Sequence, residues 1–279
     1  MATQELDPRA AAPPPAAPAK VGPVTSALQT AGEWTTFFGQ TVKGTLGTFP
    51  YASEVLRQAA IMIGGTAVLM FVMNIFQGAS VANFGFFFLR AIGAGDFMGL
   101  VSGYAGPRQT GVTMFGYVFC AKICCGITAE IGAMKIQQEI DALESTGVDT
   151  MRYIVGTRMG AVLIFVPIAA AIALIGQIAG VYIITVLVVH GIAPATLLNV
   201  NWAVQTVNDQ LYSVFTMGLI AVVTASIAMF VGLRASGGPA NVGAAVAKGI
   251  LANLVVLHII SAFCAIMFYG GNSKLPIGG

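Results

Sequence analysis

Charge is what this chain has least of. Of its 279 residues only 9% are Asp, Glu, Lys or Arg, against 57% hydrophobic, and the mean hydropathy is +0.84. A soluble globule of this length needs more polar surface than that. The chain therefore reads as an all-α integral membrane protein that crosses the bilayer several times. The net charge is +2, and Lys and Arg occur singly rather than in runs, so nothing points to nucleic acid as a partner. Histidine and cysteine are also scarce. Cys120, Cys124, Cys125 and Cys264 all fall inside apolar runs away from His190 and His258, the pattern of small buried residues rather than of a metal site or a disulfide. No Gly-x-x-x-x-Gly-Lys-[Ser/Thr] phosphate loop is present, which excludes ATP binding by that route. At the N-terminus, residues 1–24 are rich in Pro and Ala and read as a disordered arm. They lack the apolar core of a secretory signal and carry Glu5 and Asp7 where a signal would be basic.

What is abundant is apolar sequence in long windows. A helix needs roughly 20 apolar residues to cross about 30 Å of hydrocarbon. Five windows qualify, at residues 59–78, 109–129, 159–189, 210–233 and 249–270, within a transmembrane region expected over 51–279. The third is longer than required and contains Pro167, so it is expected to tilt, project or kink. A sixth stretch, Phe84 to Gly103, holds Arg90, Asp96 and five glycines, and is expected to be a short extracytoplasmic or re-entrant segment. Charge supports that choice. With five spans and a cytoplasmic N-terminus, Arg9, Lys20, Lys43, Arg57, Lys135, Arg152, Arg158, Arg234 and Lys248 lie inside, while only Arg90, Arg108 and Lys274 lie outside with the C-terminus.

Ahead of the first span, over residues 25–50, Leu28, Ala31, Trp34, Phe38, Val42, Leu46 and Phe49 recur at three- and four-residue intervals opposite Glu33, Gln40 and Lys43. This pattern fits an amphipathic helix lying in the headgroup plane, and also one packed on the protein's own surface.

The charges that exist are concentrated. Lys135, Glu139, Asp141, Glu144, Asp149, Arg152 and Arg158 fall in one short interval between the second and third spans. There Ile136, Ile140 and Leu143 form one helical stripe and Gln137, Asp141 and Glu144 another, with Gly147 placed to cap the helix and Asp149 to start the next turn. Periodicity alone leaves two readings open: a solvated connecting helix, or a docking helix that carries force between a soluble partner and the spans it joins.

The strings Thr128-Ala-Glu-Ile-Gly, Glu139-Ile-Asp-Ala-Leu-Glu and Gly147-Val-Asp, with Arg158 and with Lys122 eight residues before Glu130, resemble the signature of the MlaE/YrbE permeases, most closely the actinobacterial YrbE branch. These are membrane subunits of ABC-type lipid transporters associated with MCE proteins. The likeness extends more loosely from Arg57 to the C-terminus. Two departures bear on the outer segment: Tyr104-Ala-Gly-Pro107 stands where many members have Glu-Leu-Gly-Pro, and Thr150 where many have Pro.

The resemblance implies an N-terminal interfacial helix plus five spans forming half of a permease dimer in the bacterial inner membrane. The segment containing Glu139, Ile140, Asp141, Ala142, Leu143, Glu144, Gly147 and Asp149 would be its ATPase-coupling helix. ATP and Mg2+ would sit on a separate ABC ATPase dimer, with no cofactor on this chain. The second permease would be a paralogue rather than an identical copy, MCE-domain proteins would stand on the extracytoplasmic side, and a lipid (phospholipid, fatty acid or sterol) would be the cargo, in the import direction.

Lys122, Glu130 and Arg158 are the charges given structural or coupling roles. Lys122 and Glu130 lie about 12 Å apart along a helix, too far for a direct pair, so each is expected to find another partner. For substrate contact the sequence offers only Asn74, Gln77 and Gln177, polar positions within spans that serve interhelical hydrogen bonding equally well. An ion-coupled carrier and a non-transporting scaffold are the rival functions. Neither internal repeats nor a second intramembrane acid favours the former.

Overall fold

The computed structural model describes residues 23–270, and within them the chain is helical with no strand. The expected arm over 1–24 lies almost wholly outside the described residues. Helix α1 spans Pro23–Leu46, α2 Ala52–Ala91, α3 Met98–Ala105, α4 Gly111–Val118, α5 Cys125–Ile136, α6 Glu139–Ser145, α7 Thr157–Tyr182, α8 Pro194–Ala203, α9 Val207–Leu233 and α10 Pro239–Tyr269. Five helical stretches are long and apolar enough to cross a membrane: Phe49–Ala91, Gly95–Ile136, Met151–Val188, Val207–Leu233 and Pro239–Tyr269.

The second stretch is a chain of helices, α3 to α5, joined without a break through π-helical turns at Gly106–Thr110 and Phe119–Cys124. The third contains two more, at Met151–Gly156 and Ile183–Val188, with Pro167 inside α7. Each π turn widens the helix by one residue and shifts which side chains face the neighbouring spans.

Phe84 to Gly103 is no sixth span, as expected, but it is not a segment of its own either. Residues 84–91 complete α2, Gly93 makes the turn at φ = 75°, and residues 98–103 open α3. Two of the glycines taken as helix breakers there, Gly99 and Gly103, serve close packing. A Cβ at Gly99 would sit 2.7 Å from the Leu197 carbonyl oxygen, and one at Gly103 2.7 Å from that of Asn201, so α8 lies directly against α3. Gly176 and Gly180 do the same within the chain, bringing α7 onto the backbone of Phe71 and Ile75 in α2, while Gly78 returns the contact against Gln177.

The main core runs through the bundle and contains Phe115, Phe119, Phe165, Met70, Ile131, Met217, Ile220 and Met229, each essentially buried. α1 buries Phe37 and Thr41 and bonds Trp34 Nε1 to Ser226 Oγ of α9 at 3.2 Å, while Leu28, Leu46 and the following Phe49 stay exposed. One stripe of this helix is thus packed on the protein itself. α8 was not foreseen.

Candidate functional site

Two charged clusters stand at opposite ends of the bundle. The first is built around the turn between α5 and α7. α5 ends where Gln137 leaves helical geometry and Gln138 takes φ = 59°, a left-handed conformation costly for a residue with a Cβ. That reversal folds α6 back beneath the bundle. Ile136 therefore belongs to α5, not to the stripe of α6 as its spacing had implied.

α6 is short but closed at its far end. Val148 N donates to Leu143 O at 3.2 Å and Gly147 N to Glu144 O at 3.0 Å, with Gly147 at φ = 80°, the paired bonds of a Schellman cap. Asp149 Oδ1 then accepts from Arg152 N at 3.2 Å, and Asp149 Oδ2 pairs with Arg152 Nε at 3.0 Å, so the next helical stretch starts where the sequence placed it. The Thr150 hydroxyl donates to Glu144 Oε1 at 2.8 Å and Lys135 Nζ reaches Asp141 Oδ1 at 3.0 Å.

The faces of α6 are unlike. Ile140 is buried in the main core and Leu143 packs on it, while Glu139, Asp141, Ala142 and Glu144 are exposed. An acidic surface is thereby held on a helix anchored from behind.

Behind α6, Arg158 at the start of α7 is only 5% exposed. Its Nη2 meets Glu130 Oε1 of α5 at 2.6 Å and its Nη1 donates to Ile154 O at 3.0 Å. The two sides of the α6 turn are thus tied by a charge-assisted bond, which is stronger and shorter than a neutral one. This supplies the partner that Glu130 was expected to have. Lys122 makes no ion pair among the described residues and stands on the exposed side of the second span.

A 360 Å³ groove lined by Glu54, Arg57, Glu130, Glu139, Tyr153 and Arg158 opens beside the pair, and a 220 Å³ pocket sharing Gln58 and Glu130 leads from it to Lys122. Glu54 is engaged by Arg57 Nη2 at 2.6 Å and by Gln58 Nε2 at 2.9 Å.

The second cluster, at the opposite end, was missed by sequence reasoning. Arg108 Nη2 lies 3.2 Å from Asp209 Oδ1, and the guanidinium sits 4.1 Å from the ring centre of Tyr104 and 4.5 Å from that of Tyr269. Asp209 also closes a capping box with Thr206 at the start of α9. Thr206-x-x-Asp209 ahead of an apolar run was the signal available.

The polar span positions are scattered. Asn74 donates to its own Met70 O at 2.8 Å, Gln177 donates to Thr110 Oγ1 at 2.9 Å, and Gln77 is half-buried. Asn74 and Gln177 lie near the same α2–α7 crossing, and neither approaches the charged groove.

Residues 55–267 match the family model described as Permease MlaE. The chain belongs to the MlaE permease family. The matched region of this MlaE-family chain contains α6, the Glu130–Arg158 pair, Lys122 and the Arg108–Asp209 pair, and leaves out α1. Among curated proteins it is similar to a probable ABC transporter permease of Synechocystis sp., 24% identical over 67% of this chain and 70% of the relative. A probable ABC transporter permease of Rickettsia felis is 21% identical over 86% and 93%. The intermembrane phospholipid transport system permease protein MlaE of Haemophilus influenzae is 24% identical over 78% and 84%. Together with the five apolar stretches, membership makes the chain a multi-pass membrane permease.

Proposed function

We propose that this chain is the permease subunit of an ATP-driven lipid transporter of the bacterial inner membrane, and that α6 is the helix through which a separate ATPase moves it. The observation that carries this reading is the two-sided character of α6: Ile140 is buried in the bundle core and Leu143 packs against it, while Glu139, Asp141 and Glu144 face outward. A merely solvated linker has no need of a capped helix seated between two spans, nor of Arg158 and Glu130 locking those spans at its base. Relatives named as probable ABC transporter permeases support the ATPase partner, and the Haemophilus relative's name supports phospholipid as the cargo class.

In this reading the ATPase dimer holds ATP and Mg2+, and its closure displaces α6. Because α6 is rooted in the core and its flanking helices are tied by Arg158, the displacement passes into α5 and α7 rather than being lost in a flexible loop. Gly147 and Asp149 keep the helix end and the entry to α7 in register. Lys122 and the groove beside Glu130 keep a polar path at the α6 end of the second span. A second, paralogous permease completes the transport cavity, MCE-domain proteins receive or deliver lipid on the extracytoplasmic side, and net movement is inward. α1 lies in the headgroup plane on the cytoplasmic side, with the N-terminus cytoplasmic and the C-terminus outside.

The test is charge reversal on α6. The double variant Glu139→Lys, Glu144→Lys is expected to insert and fold as the parent but to lose the ATPase on co-purification and to stop ATP-dependent transfer of labelled phospholipid in proteoliposomes. Retention of both would remove the basis of the proposal.

A further inference from the structure

At the end of the bundle opposite α6, a groove runs between α7 and α8. Its outer part, 370 Å³ in volume, is walled by Ile175, Ile178, Ala179, Tyr182, Leu198 and Trp202, and these carry almost no polar surface into it. Ile175, Ile178 and Trp202 are shared with an inner cavity of 170 Å³, which continues inward to Ser102, Gln177, Gln205 and Gln210. An apolar channel thus ends on a cluster of amides.

Those amides are not self-sufficient. Gln177 is fully buried and its Nε2 donates to Thr110, yet its Oε1 meets no donor. Gln205 accepts from Gln210 through Oε1, and its Nε2 is buried without an acceptor. One unmet acceptor and one unmet donor line the same cavity, and buried polar atoms of this kind are ordinarily bonded. The backbone holds them there: the π turn at Gly106–Thr110 presents Thr110 to Gln177, and Gly106 leaves room for the Gln177 side chain.

Among the described residues, no Asp, Glu, Lys, Arg or His lines either part of the groove. Arg108 and Asp209, neighbours in sequence of lining residues, neutralise each other. A phosphate or carboxylate would bring negative charge into a site with no cation and would offer no donor to Gln177. A hydroxyl brings a donor and an acceptor at once. The inner cavity is close to the roughly 150 Å³ that encloses benzene, enough for the end of a lipid but not for a substituted phosphodiester head.

We propose that the groove between α7 and α8 binds an uncharged, hydroxyl-ended lipid, its apolar body along Ile175, Ile178 and Trp202 and its hydroxyl between Gln177 and Gln205. The inference rests on the reading of the chain as a lipid permease, and adds to it a second lipid site with a preference for neutral ends.

The test uses the full chain in phosphatidylcholine nanodiscs and two probes with identical diazirine-bearing acyl chains, a diacylglycerol and the corresponding phosphatidate, with crosslinked residues mapped by mass spectrometry. Diacylglycerol is expected to label residues 174–183 and 198–205 at least threefold more than phosphatidate does. Gln177→Leu, which keeps the shape but removes the amide, is expected to lower that labelling at least threefold. Ile178→Trp, which fills the groove from its half-buried wall, is expected to abolish it and decides the matter if the first variant does not fold. Equal labelling by the two probes, or labelling indifferent to both substitutions, overturns the proposal. The Glu139→Lys, Glu144→Lys chain is expected to label as the parent does, so a failure of ATPase docking and a failure of the groove are read separately.

Discussion

The two charged clusters of this MlaE-family permease each hold a largely buried arginine paired with a carboxylate, and they differ in what they leave undone. At the end opposite α6, Arg108 and Asp209 are both largely buried, the guanidinium lies between two tyrosine rings, and Asp209 is also a helix cap. Among the described residues both charges of that cluster are answered by each other, with only Arg108 Nε left without a hydrogen-bond partner. At the α6 end, Arg158 is buried but Glu130 is half exposed, and Glu139, Asp141 and Glu144 turn outward. A closed cluster fixes helices to one another; an open one on an anchored helix has surface to spare for a partner. On the proposed function the first cluster serves stability and the second coupling, and substitutions at matched positions separate the two roles.

The largest effect is expected at the closed end. Arg108→Ala strips a buried carboxylate of its partner and should cost about 3 to 5 kcal/mol, seen as a large fall in the thermal melting point of the detergent-solubilised protein. The fraction that still folds should bind the ATPase normally. A melting point equal to the parent's would erase the contrast between the ends.

Arg158→Ala sharpens the contrast from the other side. Because Glu130 is half exposed and water can replace part of what is lost, stability should fall by only about 1 to 2 kcal/mol. Lipid-transfer rate per bound ATPase should fall much further, since the tie across the base of α6 is gone. If the loss of transfer merely tracked the loss of folded protein, the pair would be structural only.

Much of this was legible in the sequence, and the limits have physical causes. Five spans were countable because each apolar window exceeds what a bilayer requires, but windows report the lipid-facing minimum and not the helix ends. α2 therefore runs to Ala91, where residue 78 had been expected to close the span. Glycine misled at Phe84 to Gly103, because its low helix propensity is overridden when a neighbouring backbone needs the space, as α8 does at Gly99 and Gly103. Capping chemistry is local and was readable: Gly147 and Asp149 stand where expected. The Glu130–Arg158 bond spans 28 positions and depends on how α5 returns through α6 to α7, so the sequence showed only that Glu130 needed a partner. Arg108 and Asp209 are 101 positions apart and gave no sign beyond the Thr206 box.

Smaller effects test the finer geometry of the open end. Gly147→Ala places a Cβ at φ = 80° and should cost about 1 kcal/mol, fraying the end of α6 and raising amide exchange at Leu143 to Val148 while leaving the Arg108 end protected. Thr150→Val removes the hydroxyl that holds Glu144 at an exposed position. The change in stability should be under about 0.5 kcal/mol, with at most a slight weakening of ATPase binding by titration calorimetry. A Thr150 effect larger than that of Gly147 would mean that Glu144, and not the helix cap, sets the docking surface.

The central claim is that α6 faces the ATPase from the cytosolic side of the membrane. Ser145→Cys, at the exposed end of α6, tests it most directly with a membrane-impermeant maleimide. The account predicts no labelling in intact cells, labelling in inside-out vesicles stripped of the ATPase, and protection when the ATPase is added back. Labelling in intact cells would contradict it.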